Sequence, residues 1–407
     1  MHGGAKPCYR SVMARRITLD FLKTEAASGM ILAGAALAAI LLANSPWSQH
    51  YFGFIAHKLT IQVGAFDETH SVLDWVKEGL MAIFFFVVGM EIKYEILRGE
   101  LSNPRRLALP VLAAIGGMAV PAGVYLAFNL GAGGSPQGWP TATATDIAFA
   151  LAALAIVGKK LPPSLRIFLL TLAIADDLGA VALIAILFTA KVNLLALGGA
   201  LSTLALMFLL GRWKTAPYFF YACCFVLIWA FTLKSGINTS LAGVAAAMTV
   251  PVEPRRPGQT GVLHYFMESL HGYVAFLILP LFAFVAAGFS LSGLSLRELF
   301  SPVALGVGLG LFLGKQVGVF GAAALAIGLK LARRPTGAKW IELYGVALLC
   351  GVGFTMSLFI GALAFSPADV AAQTEVRIGV IVGSLLSTLV GMAVLGWSQA
   401  RRNLDQG

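Results

Sequence analysis

Long apolar runs alternate with short polar connections along nearly the whole chain. The runs lie at residues 29–43, 73–97, 107–130, 141–157, 165–188, 194–210, 218–233, 237–250, 265–289, 303–329, 341–365 and 378–397. A helix needs about 20 apolar residues to cross the hydrocarbon core of a bilayer, and most of these runs reach or approach that length. The pattern predicts an all-α polytopic membrane protein of about twelve transmembrane helices, some of them short. No long polar linker or low-complexity stretch divides it, so one membrane domain is expected over 19–400, between tails at 1–18 and 401–407. One connection has strand character. At 59–70, Leu59, Ile61 and Val63 alternate with polar residues before Gly64, which reads as a small β-hairpin or an irregular loop.

Composition sharpens this picture. Only 12% of residues are charged and 58% are hydrophobic, with a mean hydropathy of +0.84. The net charge of +10 does not point to nucleic acid, because the basic residues are scattered in short clusters between apolar runs. With the N-terminus inside, 22 of the 29 Lys and Arg residues fall on inner segments and six on outer ones, leaving Lys315 alone within a span. That bias predicts an even number of spans with both termini cytoplasmic. The first run reads as an uncleaved span, since Asn44, Ser45 and Pro46 make a poor signal-peptidase site. Cys8, Cys223, Cys224 and Cys350 show no metal-ligand or disulfide spacing, and no GxxxxGK[ST] stretch suggests nucleotide drive.

The chemistry is expected where charge enters the apolar runs. Asp176 and Asp177 are adjacent within 165–188, and Asp146 and Lys315 lie at comparable depth. A charge at the centre of a membrane helix costs about 2.5–3.5 kcal/mol on insertion scales, so four unpaired ones are expensive. Neighbours on a helix project about 100° apart, and the two aspartates cannot chelate one small ion together. One is expected to face a cavity and the other a neighbouring helix, with Lys315 as the natural partner of one. A buried carboxylate that takes either H⁺ or a metal cation is the minimum equipment of a cation/proton exchanger. Thr145, Asp146 and the carbonyls of a broken helix are further oxygen donors for a hard cation.

Two runs carry interruptions. Thr141 to Thr145 places β-branched residues directly before Asp146, and Gly345, Gly351 and Gly353 weaken the eleventh run before Phe354 and Thr355. Unwound backbone at membrane depth survives where it is buried in protein or lines a watery cavity, and paired weak helices point to a transport site. A second charge set lies near the membrane faces: Glu78 at the outer end of the second run, Glu91, Lys93 and Glu95 at its inner end, and Glu253, Glu268 and His271 near the ninth. These read either as solvated interface anchors or as a cation funnel and pH-responsive surface, in which His271 has the reference pKa nearest neutrality.

Several of these stretches resemble the motifs of bacterial NhaA-type Na⁺/H⁺ antiporters. They are Thr145-Asp146-Ile147-Ala148-Phe149-Ala150, Ala175-Asp176-Asp177-Leu178-Gly179-Ala180, Gly314-Lys315, the stretch from Phe84 to Lys93, and the stretch from Cys350 to Ser357. The resemblance covers nearly everything after Leu19. It implies a fold with inverted-topology repeats and two discontinuous, crossing helices, the fourth and the eleventh. It implies a transporter of the bacterial inner membrane without a cofactor, exchanging Na⁺ or Li⁺ for H⁺ by alternating access. By the resemblance, Asp177 is the principal cation and proton site and Asp176 exchanges a proton or its ion pair with Lys315. Thr145 and Asp146 occupy the crossing, Glu78 belongs to an outer funnel, and Glu91, Lys93 and Glu95 belong to a pH-responsive cluster. The hairpin at 59–70 becomes a candidate homodimer contact. One departure stands out: Asn238 occupies a position where well-known members carry a histidine, so a role tied to that histidine has no counterpart here.

Rival readings are an intramembrane aspartyl protease, a cation channel and a cation-coupled symporter. The protease needs a Gly-x-Gly-Asp context that neither Asp146 nor Asp176 has. The channel needs no titrating aspartate pair tied to a lysine. The symporter lacks any stretch resembling a dedicated organic pocket.

Overall fold

The computed structural model describes residues 26–404 apart from 64–65, 100–103, 132, 159, 189–191, 214–215, 254–260, 293–295 and 367. The tail expected at 1–18 and residues 405–407 lie outside the described residues. Helix α1 (Ala26–Ala43) leads through the short α2 (Ser48–Ala56) into strands β1 (Lys58–Val63) and β2 (Phe66–Ser71). The strands pair antiparallel in a register running from Lys58 opposite Ser71 to Val63 opposite Phe66, with Leu59 and Ile61 exposed.

The bundle follows as α3 (72–98), α4 (Pro104–Asn129), α5 (Ile147–Val157), α6 (Pro163–Leu187), α7 (Leu194–Arg212), α8 (Tyr218–Ser235), α9 (Thr239–Thr249), α10 (Val262–Ala287), α11 (Pro302–Gly328), α12 (Trp340–Leu349), α13 (Phe354–Ala364) and α14 (Val370–Leu404). Each predicted apolar run coincides with a helical segment. Length and hydropathy, however, support nine spans among the described residues, or ten if the bent pair α12–α13 is one span, rather than twelve. Helix α3 falls short because charged residues, Asp74, Lys77 and Glu78 at one end and Glu91, Lys93 and Glu95 at the other, interrupt its apolar run. Helix α9 falls short because it has only 11 residues.

Local chemistry explains the boundaries. Asn238, the residue that departs from the resembling histidine, caps α9 by accepting from the Ser240 N–H at 2.9 Å. Gly236 ends α8 in the left-handed region at φ 78°, which glycine adopts without steric cost. Among the described residues, three π turns, Val76–Leu80, Val274–Ile278 and Gly310–Gly314, interrupt α3, α10 and α11, and the last immediately precedes Lys315. Such turns are rare and recur at functional sites.

Close backbone contact carries the packing. A Cβ on Gly116 of α4 would fall 2.4 Å from the Gly318 carbonyl oxygen of α11, and one on Gly318 would fall 2.2 Å from that of Gly116. Only residues without a Cβ permit this approach, the usual route to strong helix association in lipid. It sets Lys315, one turn before Gly318, against α4. At the centre, Phe85, Phe282 and Phe359 of α3, α10 and α13 are fully buried, with Phe359 5.5 Å from Phe85 and 6.0 Å from Phe282 between ring centroids.

Candidate functional site

Two breaks in the helical backbone meet at the centre of the bundle. A 3₁₀ turn, Pro136–Ala142, is followed by non-helical residues to Asp146, where α5 begins. Helix α12 ends at Leu349, and α13 restarts at Phe354 after a bend of 43°. Each break leaves N–H and C=O groups without intrahelical partners, and the two breaks satisfy one another. The Asp146 N–H donates to the Val352 carbonyl at 2.6 Å, and the Thr145 hydroxyl to the Cys350 carbonyl at 2.7 Å. In return, the Asp146 carboxylate accepts from the Thr355 N–H at 3.0 Å and from the Thr355 hydroxyl, and caps its own helix through the Phe149 N–H at 3.0 Å. The N–H groups of Gly353 and Phe354 donate to Ser384 Oγ of α14. Asp146 thus places one carboxyl group at the N-terminal ends of both α5 and α13, where acceptors for the free N–H groups are needed.

Helix α6 carries the aspartate pair past this crossing, and both residues are 1% exposed. Their surroundings differ, as helix geometry requires of neighbouring side chains. Asp176 receives a hydrogen bond from Lys315 Nζ at 2.7 Å, and this ion pair is buried on both sides. Asp177 points elsewhere. Neither of its carboxylate oxygens has a hydrogen-bond partner among the described residues, although both are buried. Burying an unsatisfied carboxylate is costly, and such groups persist where they bind something. Its donor set, oxygen without nitrogen or sulfur, suits a hard cation or a proton.

Asp177, Asp146 and Thr355 line the inner end of a cavity of about 670 Å³. The cavity runs between α3, α5, α6, α10 and α13 to Glu91 and Glu95 of α3 and to His264, Glu268 and His271 of α10. This is the end of the bundle where the basic connections gather, and Glu268 at the mouth is 67% exposed. In the other direction Phe84, Leu279 and Met356 are lining residues, while the packed rings of Phe85, Phe282 and Phe359 are not.

Other predicted residues lie elsewhere. Lys93 is turned away from the cavity and donates to the Met248 and Val250 carbonyls at the C-terminus of α9, where a cation complements the helix dipole. Glu253 forms an ion pair with Arg98. Glu78 is on the opposite side of the bundle, accepting from the Thr239 hydroxyl at 2.8 Å, and does not line the cavity. Sequence reading missed His264, which bonds Glu268 at 3.1 Å. The spacing 264, 268, 271 on one helical face was the available signal. It also missed the buried pairing of Glu342 in α12 with Arg402 of α14 at 2.5 Å, because the partners are 60 residues apart.

The two crossing breaks and the Asp176–Lys315 pair correspond to the motifs quoted above, and the Na⁺/H⁺ antiporter 1 family model matches residues 19–395. The chain belongs to that family. Similar relatives include the Na⁺/H⁺ antiporter NhaA of Bordetella parapertussis, 49% identical over 382 residues that cover 92% of this chain and 95% of that protein. The Na⁺/H⁺ antiporter NhaA of Sphingopyxis alaskensis is 47% identical over 92% of this chain and 89% of its own. Na⁺/H⁺ antiporter NhaA 1 of Syntrophotalea carbinolica is 45% identical over 95% and 97%. Membership in the family accounts for most of the chain, and the fold is that of an all-α polytopic membrane protein.

Proposed function

We propose that this protein is a Na⁺/H⁺ antiporter that also accepts Li⁺, working by alternating access at Asp177. The observation that carries the reading is the buried Asp177 carboxylate, without a hydrogen-bond partner among the described residues, at the inner end of a cavity that reaches the basic face. The protonated carboxyl binds no cation. When Na⁺ enters through the cavity it replaces the proton, which leaves by the same route. After the site turns to the other side, Na⁺ departs and a proton takes its place. One carboxylate bound in turn by two cargoes makes simultaneous occupancy unfavourable, and that competition is the coupling.

Lys315 and Asp176 keep a second charge pair beside the site. Cation binding at Asp177 changes the field on that pair, and proton exchange through it is the simplest origin of a second translocated proton. With more H⁺ entering than Na⁺ leaving, transport is electrogenic. It then gains about 1.36 kcal/mol per proton per pH unit and about 2.3 kcal/mol per net charge per 100 mV. Asp146, held by both helix ends, keeps the crossing intact while α5 and α13 move; Thr145 binds the α12 side. Glu91, Glu95, Glu268 and His271 line the cytoplasmic approach and supply the pH response, whereas Glu78 serves an outer approach. Lys93 and Glu253 fit structural roles better.

The protein is read as residing in a bacterial inner membrane with both termini cytoplasmic, on the strength of the Lys and Arg bias. The exposed Leu59 and Ile61 of the hairpin are the contact offered for a homodimer. In proteoliposomes with an acid interior and an entrapped pH dye, added Na⁺ or Li⁺ is expected to release interior protons, and Asp177→Asn to remove the response. Silence toward every cation across a pH series would favour the symporter reading.

A further inference from the structure

Gln316 follows Lys315 in α11 and is buried. Burying a primary amide is costly unless its polar atoms are bonded, and here both ends are. Its Nε2 donates to the Phe312 carbonyl at 2.7 Å, and its Oε1 accepts from the Tyr344 hydroxyl of α12 at 2.5 Å. The amide has one allowed orientation, because the Phe312 carbonyl only accepts; Tyr344 is therefore the donor.

The two bonds hold the π turn Gly310–Gly314. There the Lys315 N–H reaches back to the Gly310 carbonyl, one residue further than in an α-helix, which changes the direction in which the next side chain leaves. Phe312 lies inside that turn, and its carbonyl is the one that the Gln316 N–H would take in regular α-helical bonding. The Gln316 side chain thus braces the turn from its own helix and passes the load to Tyr344. Directly after the turn, Lys315 reaches Asp176 at 2.7 Å, passing Gly117 of α4, where a Cβ would fall 3.9 Å from Nζ. Tyr344 belongs to the helix that enters the crossing. Six residues on, the Cys350 carbonyl accepts from the Thr145 hydroxyl, and the Val352 carbonyl accepts from the Asp146 N–H. Its ring is held apart from its hydroxyl, edge-on to Phe320 of α11 at 5.3 Å between centroids.

We infer that Tyr344 and Gln316 are positioning residues of the exchange site. Their hydrogen bond keeps the π turn in the geometry that aims Lys315 at Asp176, and it ties that aim to the position of α12. A shift of α12 at the crossing then reaches Lys315 through one bond, without passing through Asp177. The inference deepens the reading of Lys315 and Asp176 as the second charge pair of exchange and rests on it. Neither residue touches the cation, so their loss should slow turnover rather than weaken cation binding.

The test compares the full chain as wild type, Tyr344→Phe, Gln316→Met and their double variant. Tyr51→Phe is the control, since it removes a comparable hydroxyl bond, to the Phe284 carbonyl of α10 at 2.6 Å. Amide hydrogen exchange of the purified proteins in detergent, read by mass spectrometry, reports the turn directly. The peptide covering 310–318 is expected to exchange about threefold faster in Tyr344→Phe than in wild type, and at the wild-type rate in the control. In proteoliposomes, Na⁺-driven proton release by Tyr344→Phe is expected to have a maximal rate about threefold lower at an unchanged KM for Na⁺. The double variant should lose no more than Gln316→Met alone, because one bond is removed in both. Unchanged amide exchange at 310–318, or a raised KM at an unchanged maximal rate, would overturn the inference. Absence of Na⁺-driven proton release in wild type would remove the exchange reading instead, and amide exchange would still decide whether Tyr344 holds the turn before Lys315.

Discussion

Asp146 and Thr355 belong to different broken helices, yet the Asp146 carboxylate accepts both the backbone N–H and the hydroxyl of Thr355. One side chain therefore caps α13 from across the bundle while capping α5 locally. A hydrogen bond to a charged acceptor contributes about 1.5–3 kcal/mol. Thr355→Val keeps the shape and the N–H but removes the hydroxyl donor. It is expected to destabilise the protein by about 2 kcal/mol and to slow exchange, with Thr355→Ser restoring both. Thermal unfolding in detergent checks this; a midpoint equal to wild type would show that the hydroxyl contributes nothing at the crossing.

Asp177→Asn is expected to abolish cation-driven proton release in proteoliposomes while leaving the thermal midpoint unchanged or raised. The substitution is nearly isosteric, and neither oxygen of Asp177 surrenders a hydrogen bond to any of the described residues. Retained full transport would dismiss the residue as the exchange site.

Lys315 and Asp176 should behave as a unit for stability. Removing one partner of a buried pair leaves an uncompensated charge and costs about 3–5 kcal/mol. Lys315→Ala and Asp176→Asn are each expected to lower the thermal midpoint, and the double variant to fall less than the two effects added. Exchange by Lys315→Ala should show an altered pH profile. Additive losses together with an unchanged profile would reduce the pair to two unrelated packing contacts.

Arg402 should matter more than its place near the end of the chain suggests. Arg402→Gln leaves Glu342, 0% exposed, without its cation, at a cost of about 3–5 kcal/mol. Glu342→Gln frees Arg402 to reach water and is expected to cost less. The order of the two midpoints tests the asymmetry, and equal midpoints would contradict it.

Much of this protein is written along its sequence. Apolar runs predict helices because a chain crossing lipid must satisfy its backbone internally, and the Lys and Arg bias predicts orientation. The cost of intramembrane charge singles out Asp146, Asp176, Asp177 and Lys315, and helix geometry predicts that the adjacent aspartates meet different surroundings. Threonines before Asp146 and glycines before Thr355 marked the breaks, since both weaken a helix locally.

Tertiary structure decided which groups meet. That Lys315 pairs with Asp176 rather than Asp177, and that Asp146 caps a helix more than 200 residues away, depend on the angles at which α4, α6, α11 and α13 cross. Those angles follow from close approaches such as Gly116 against Gly318, a property of two surfaces together rather than of either segment. The same holds for Lys93 and Glu253: sequence placed them near one face, but only packing turned them toward α9 and Arg98 instead of the cavity. Hydropathy is summed along a segment, whereas a hydrogen bond or ion pair depends on positions in space, so the sequence determined the helices and their breaks while the packing assembled the site.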